Sequence, residues 1–173
     1  MPISSITTDY TGRLKDISIL QYPNPYNSAQ ETAAWNSNQL ESYPNIVAPS
    51  FGKITRFCSG VQKLIQKYAI ILLTNIGSQD GFPSFGTNFL YSVQAGLSPV
   101  DNLRAAQLFT IASYKAVNTL VDYQISNPNT PSDERIVSAE LVDVVLSSGV
   151  ATFNVEITTE AGDTVPFLLP LPR

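Results

Sequence analysis

Residues 136–169 read IVSAELVDVVLSSGVATFNVEITTEAGDTVPFLL, and this stretch decides the fold. After Val150, the apolar residues Ala151, Phe153, Val155 and Ile157 alternate with Thr152, Asn154, Glu156 and Thr158. A period of two belongs to a strand with one face in a core and the other toward water. Ser147-Ser148-Gly149 and Ala161-Gly162-Asp163 supply a turn on each side. The segment is therefore predicted to be a meander of three strands over residues 136–146, 150–159 and 164–169. Its first strand does not alternate cleanly, because Val142 and Val144 oppose Leu141 and Val145. It reads as a central strand covered on both faces. Pro170-Leu171-Pro172-Arg173 reads as the end of the sheet, since proline cannot donate to a ladder.

Two helices are predicted upstream. Over residues 54–73, Phe57, Val61, Leu64, Ile65, Tyr68, Ile71 and Leu72 recur at the spacing of one helical face. Lys53, Arg56, Lys63 and Lys67 fall mostly off that face and read as a solvated basic side. The second helix starts at Ser98, an N-cap followed by Pro99, and runs to about Ser126. Leu103, Ala106, Tyr114, Val117, Val121 and Ile125 lie along one side of it, and Phe109, Ala116 and Leu120 widen the apolar surface. Such a helix is expected to be buried on more than one side, between sheet and first helix or against a partner. Asn127-Pro128-Asn129-Thr130-Pro131 stops it.

Between the helices, residues 74–89 form a loop rich in Gly77, Gly81 and Gly86. Gly77 reads as a helix C-cap, and Phe82 and Phe85 around Pro83 are expected to pin the loop to the body. Residues 1–50, with Pro2, Pro23, Pro25, Pro44 and Pro49, read as an extended arm. A short strand near 17–20 and a helix near 28–40, capped by Ser28 and Glu31, fit within it. The arm either folds back on its own domain or docks on a neighbouring subunit. The fold class is α+β: two main helices on a C-terminal antiparallel three-stranded meander, residues 51–173, preceded by the arm.

Composition narrows the function. Charged residues make up 14% of the 173, against roughly 25% in ordinary soluble domains. A surface with few charges suits a protein that lives inside a larger assembly. The net charge of −4, with no basic run, leaves no footprint for nucleic acid. The apolar run Tyr68-Ala69-Ile70-Ile71-Leu72-Leu73 is too short to cross a bilayer, so no membrane partner is expected. Met1-Pro2-Ile3-Ser4-Ser5 lacks the basic and apolar regions of a signal peptide, which fits synthesis in a cytoplasm.

The chain has no histidine, which removes the commonest general base and metal ligand together. Cys58 reads as a small buried hydrophobe. No cofactor or metal is expected: the Gly77–Gly86 loop lacks the Lys-Ser/Thr ending of a phosphate loop, and no cluster has metal-ligand spacing. Glycoside hydrolysis would need two carboxylates facing one cleft. The candidates Asp80, Asp133, Glu134 and Glu156 lie in no apolar run that would shelter an acid, so no enzyme activity is expected.

The order of helix, Gly-Pro-Phe-Gly loop, long helix, acid-arginine step and meander resembles the small baseplate wedge subunit of contractile phage tails. This is the sheath-initiator family often labelled "lysozyme-like". The loop matches at Leu72-Leu73-Thr74, Gly77-Ser78, Pro83 and Phe85-Gly86. Asp133-Glu134-Arg135-Ile136 stands where the family carries Glu-Pro-Arg-Ile, so the acid and the proline position both differ. The loop also lacks the arginine that often precedes its proline. The likeness spans about residues 54–169.

The resemblance implies a structural virion protein at the tail baseplate, made in the host cytoplasm, with no catalytic, cofactor or metal site. Its implied partners are larger wedge proteins, the tail sheath protein, and the tail tube or hub. The implied partner-binding residues are Asp133, Glu134, Arg135 and Ile136, with Gly77, Pro83, Phe85 and Gly86 in the loop. Thr164, Val165 and Phe167 would lie on an open strand edge similar to the sheath's handshake domain, where the first sheath ring is templated by strand augmentation. The alternatives are a tail lysozyme and another tail-completion or neck protein.

Overall fold

The computed structural model describes residues 16–17, 45–46, 57–58, 60–95, 101–147 and 149–172. In chain order they form strands β1 (Asp16–Ile17), β2 (Asn45–Ile46) and β3 (Phe57–Cys58), then helices α1 (Val61–Leu73), α2 (Phe89–Gln94) and α3 (Asn102–Ser126). A 3-10 turn (Ser132–Glu134) leads into strands β4 (Ile136–Ser147), β5 (Val150–Thr159) and β6 (Thr164–Pro172). The fold is α+β, with helices packed on the C-terminal antiparallel meander. A fourth strand extends that meander: β2 pairs in parallel with β6, giving the order β2-β6-β5-β4. β1 pairs antiparallel with β3. The helix expected near residues 28–40 lies outside the described residues.

β5 follows its alternation. Ala151, Phe153, Val155 and Ile157 are buried, and the residues between them are half-buried. β4, expected at the centre, is instead an edge strand covered on one face by α3. The irregular spacing has another cause. Register shifts fall between Ile136 and Ser138 and between Leu141 and Asp143, so Val137 and Val142 are the bulged residues and both are exposed. A bulge adds one residue and swaps the faces downstream, which breaks a period of two without burying both sides. β6 also runs three residues beyond the expected end, through Pro170 and Pro172.

α1 starts later than its periodicity suggested, because Phe57–Cys58 is a strand and Gly60 intervenes at φ 63, ψ −143. Only glycine adopts that backbone readily, and it sets the helix start. From Val61 onward the expected face is buried, with Tyr68 wholly enclosed. Tyr68 donates from its hydroxyl to Ser113 Oγ at 2.8 Å, and Ser113 donates to the Ala139 carbonyl at 3.1 Å, tying α1, α3 and β4 together. α3 is capped by Asp101, whose carboxylate accepts the Arg104 N–H at 2.9 Å, while the expected cap, Ser98, lies outside the described residues. The short α2 was not legible in the loop sequence. It places Phe89 edge-on to Phe109 and Phe153, with ring centroids 5.6 and 5.1 Å away.

α3 also turns a different side inward. Ala105, Phe109, Ala112, Ala116 and Leu120 face the core, and the alanines let the helix lie close to the sheet. Leu103, Tyr114 and Ile125, expected along the main apolar side, are each 72% exposed, as is Ile111. At 3.6 residues per turn these four fall within an arc of about 80°, opposite the buried stripe. The helix is apolar on two sides, and the described residues cover only one.

The loop between α1 and α2 closes on itself. Thr87 N–H donates to the Thr74 carbonyl at 2.7 Å, Ile76 N–H donates to Thr87 at 3.0 Å, and Thr87 Oγ1 donates to the Leu72 carbonyl at 2.6 Å. Gly86, at φ 93, lies where a Cβ would run into the Thr74 carbonyl oxygen. We expect Gly86→Ala to lower stability by about 2–4 kcal/mol, from a left-handed backbone plus a steric clash. Gly77→Ala, with open space around it, should lose only the backbone part, about 1 kcal/mol. Urea melts of the two variants would separate the contributions, and equal losses would remove the clash from the account.

Candidate functional site

The acid-arginine step sits where α3 hands over to the sheet. Pro131 opens the 3-10 turn, which closes by Glu134 N–H donating to the Pro131 carbonyl at 2.9 Å. Arg135 then fans out over its own chain. Its Nε donates to the Thr130 carbonyl at 2.9 Å, Nη2 to the Pro128 carbonyl at 2.6 Å, and Nη1 to Glu160 Oε2 at 3.1 Å. The Arg135 carbonyl accepts the Glu160 N–H at 2.9 Å, and Ser132 accepts from Ala161 at 3.3 Å. The planar fork thus staples the loop after α3 to the β5–β6 turn. The carboxylate half of that clamp is half-exposed and contributes little.

Glu134 is the buried member. Its side chain is 4% exposed, its Oε2 lies 3.1 Å from Lys63 Nζ, and its Oε1 accepts the Gly60 N–H at 3.0 Å. Gln124, also buried, donates from Nε2 to the Glu134 carbonyl at 3.1 Å and accepts the Ile136 N–H at 3.2 Å. Asp133 is buried and engaged, and Ile136 joins the core. Four consecutive residues therefore bring α1, α3 and the sheet to one junction. Of the four residues that the resemblance implied as partner-binding, Asp133, Glu134 and Ile136 are buried within this chain, in an internal knot to which Lys63, expected on a solvated side, also belongs.

Gly60, Lys63 and Gln124 were missed as members. A glycine before a helix and a lone lysine off its apolar face are the faint signals they leave. Neither says which acid they meet, 74 residues beyond Gly60.

Cys58 lies beside this knot. It is buried, as expected, and its thiol points to Gln66 Oε1 at 3.6 Å. Burial first, then the charge of Asp16, pushes the thiol up from 9.0 to about 11. Burial raises the Tyr68 hydroxyl as well. Both groups favour their neutral forms in the fold, so their contribution is complete below pH 9. We expect Cm in urea to fall as pH rises from 9 through 11, with a shallower fall in Cys58→Ala. A flat Cm across that range would contradict the burial of both groups.

The other expected site residues are spread out. Gly77 and Pro83 are exposed, Gly86 is buried, and Phe85 is half-buried against the core. Phe82, expected to help pin the loop, is 65% exposed. Thr164 is exposed at the start of β6, whereas Val165 and Phe167 point inward, Phe167 edge-on to Tyr68 at 5.9 Å. What β6 offers outward in this stretch is main chain, and at Phe167 and Leu168 that main chain already pairs with Asn45 and Ile46.

No described helix is long and apolar enough to cross a membrane. No protein-family model matches the chain, and no curated protein matches it. Among solved structures, the chain is similar to one named "putative tail lysozyme" from Geobacter sulfurreducens. The two are 17% identical over 66% of this chain and 92% of that one, with a TM-score of 0.41. A likeness that distant carries no inference about activity.

Proposed function

We propose that this chain is a structural subunit of a contractile phage tail baseplate, a small wedge or sheath-initiator protein. It joins larger wedge proteins around the tube and seeds the first sheath ring by strand augmentation. The observation that carries this reading is the pairing of β2 with β6: the edge of the meander takes up an extended segment through its main chain. Two further features support it. The order of elements follows the resemblance of the sequence to that family. The outward stripe of Leu103, Ile111, Tyr114 and Ile125 gives α3 an apolar side suited to a bundle with neighbouring helices. A structural role also suits Glu134, whose carboxylate is spent on Gly60 and Lys63 rather than facing a cleft.

Cryo-electron microscopy of assembled tails carrying a tagged copy tests the reading. Density at the baseplate, touching wedge and sheath, is expected; a ring at the capsid end would overturn it. The stripe yields its own prediction. Ile111→Ser with Tyr114→Ser should leave the isolated chain within about 0.5 kcal/mol of wild type, since both side chains are exposed. The same pair should abolish incorporation into tails. Normal incorporation would remove the stripe from the interface.

A further inference from the structure

The edge of β6 is selective, and its prolines say how. Thr159 N–H donates to the Asp163 carbonyl at 2.9 Å, which makes residues 159 and 163 a hydrogen-bonded pair at the hairpin's end. The register then runs without a break from Thr158 opposite Thr164 to Val150 opposite Pro172. In an antiparallel ladder, hydrogen-bonded and non-hydrogen-bonded pairs alternate. Val165, Phe167, Leu169 and Leu171 therefore direct their main chain to β5. Thr164, Pro166, Leu168, Pro170 and Pro172 direct theirs to the outer edge. Three of those five residues have no N–H to give. Along that edge, only Thr164 and Leu168 keep a donor, and β2 pairs at Phe167 and Leu168.

We propose that the β6 edge is a receptor for one short strand: between Pro166 and Pro170 its one outward donor is Leu168, opposite the chain's own Asn45–Ile46, and neither flanking proline can donate an N–H to lengthen the pairing. A longer strand laid along this edge would leave a carbonyl without its donor at each proline, which is how natural sheets discourage indiscriminate pairing. The parallel direction of β2 sets the geometry that the slot accepts. If the tail reading holds, a sheath strand enters here only by replacing Asn45–Ile46. The property of the edge itself does not depend on that reading, and it is tested on the purified chain.

The full chain carrying Pro166→Val, Pro170→Val and Pro172→Val regains three outward donors. Its mass by sedimentation should rise with concentration well above that of wild type, with the new β6 amides becoming protected from exchange as it does. A mass curve superimposed on wild type, from a variant with native circular dichroism, would overturn the proposal. Leu168→Pro provides a second test that does not rely on self-association. The amide of Asn45, the residue of β2 that faces the β6 edge, should exchange at least about tenfold faster than in wild type while β5 amides stay slow. Unchanged exchange at Asn45, or fast exchange there already in the wild-type chain, would overturn it.

Discussion

Replacing Glu134 by alanine is expected to destabilise the fold by about 3–5 kcal/mol, the range for breaking one side of a buried ion pair. The substitution removes the carboxylate that faces Lys63 Nζ at 3.1 Å, where the lysine side chain is only 12% exposed. It also removes the acceptor for the Gly60 N–H, a buried donor at the start of α1. Leaving such a donor unmet costs about 1–3 kcal/mol by itself. Glu134→Gln keeps an oxygen for Gly60 and should recover part of that loss. Adding Lys63→Met to Glu134→Gln should recover more, because the ammonium that faced the lost carboxylate is then removed with it. Urea titration reads all three: a lower midpoint with an unchanged slope marks a loss of stability in the native fold. A midpoint for Glu134→Ala within about 0.5 kcal/mol of wild type would mean that the junction does not hold α1 in place.

Phe153→Ala is expected to cost as much, about 3–5 kcal/mol, by a different route. Phe153 is fully enclosed on β5, stacked on Phe109 with centroids 5.7 Å apart and edge-on to Phe89. One truncation therefore leaves a cavity shared by the sheet, α2 and α3. Against a total stability of about 5–15 kcal/mol, such a loss brings the chain near half-unfolded under mild conditions. Phe153→Leu should lose less, about 1.5 kcal/mol, since it keeps most of the volume. The double variant with Phe109→Ala should lose less than the two single losses added, because both rings line the same space. Strict additivity would show that the rings act independently.

The sequence carried the meander well wherever side-chain period alone decided it. β5 is legible because its partners on both sides keep their register opposite Thr152–Ile157, apart from one bulge in β4. β4 misleads because Val137 and Val142 are bulged, and a bulge imitates a strand buried on both faces. β6 looked too short because proline was treated as a stop. Whether it stops a strand depends on which way its nitrogen faces, and that is set by pairing rather than by local sequence. α3 shows the same limit: a helix apolar on two sides has no unique inner face until its alanines meet a sheet. At the junction, the sequence drew attention to Asp133–Ile136 but not to its partners. Gly60 and Lys63 come from a distant segment, and spacing carries no record of such contacts.

The pairing of Asn45–Ile46 with Phe167 and Leu168 has a consequence for the time order of biosynthesis. The receiving strand is made some 120 residues after the segment it receives. At about 5–20 residues per second, a ribosome takes on the order of 6–24 s to cover that distance. Gly60 waits in the same way for Glu134. For that interval the nascent segment at residues 45–46 has no β6 of its own to join, and closure within one chain begins only after translation has passed Leu168.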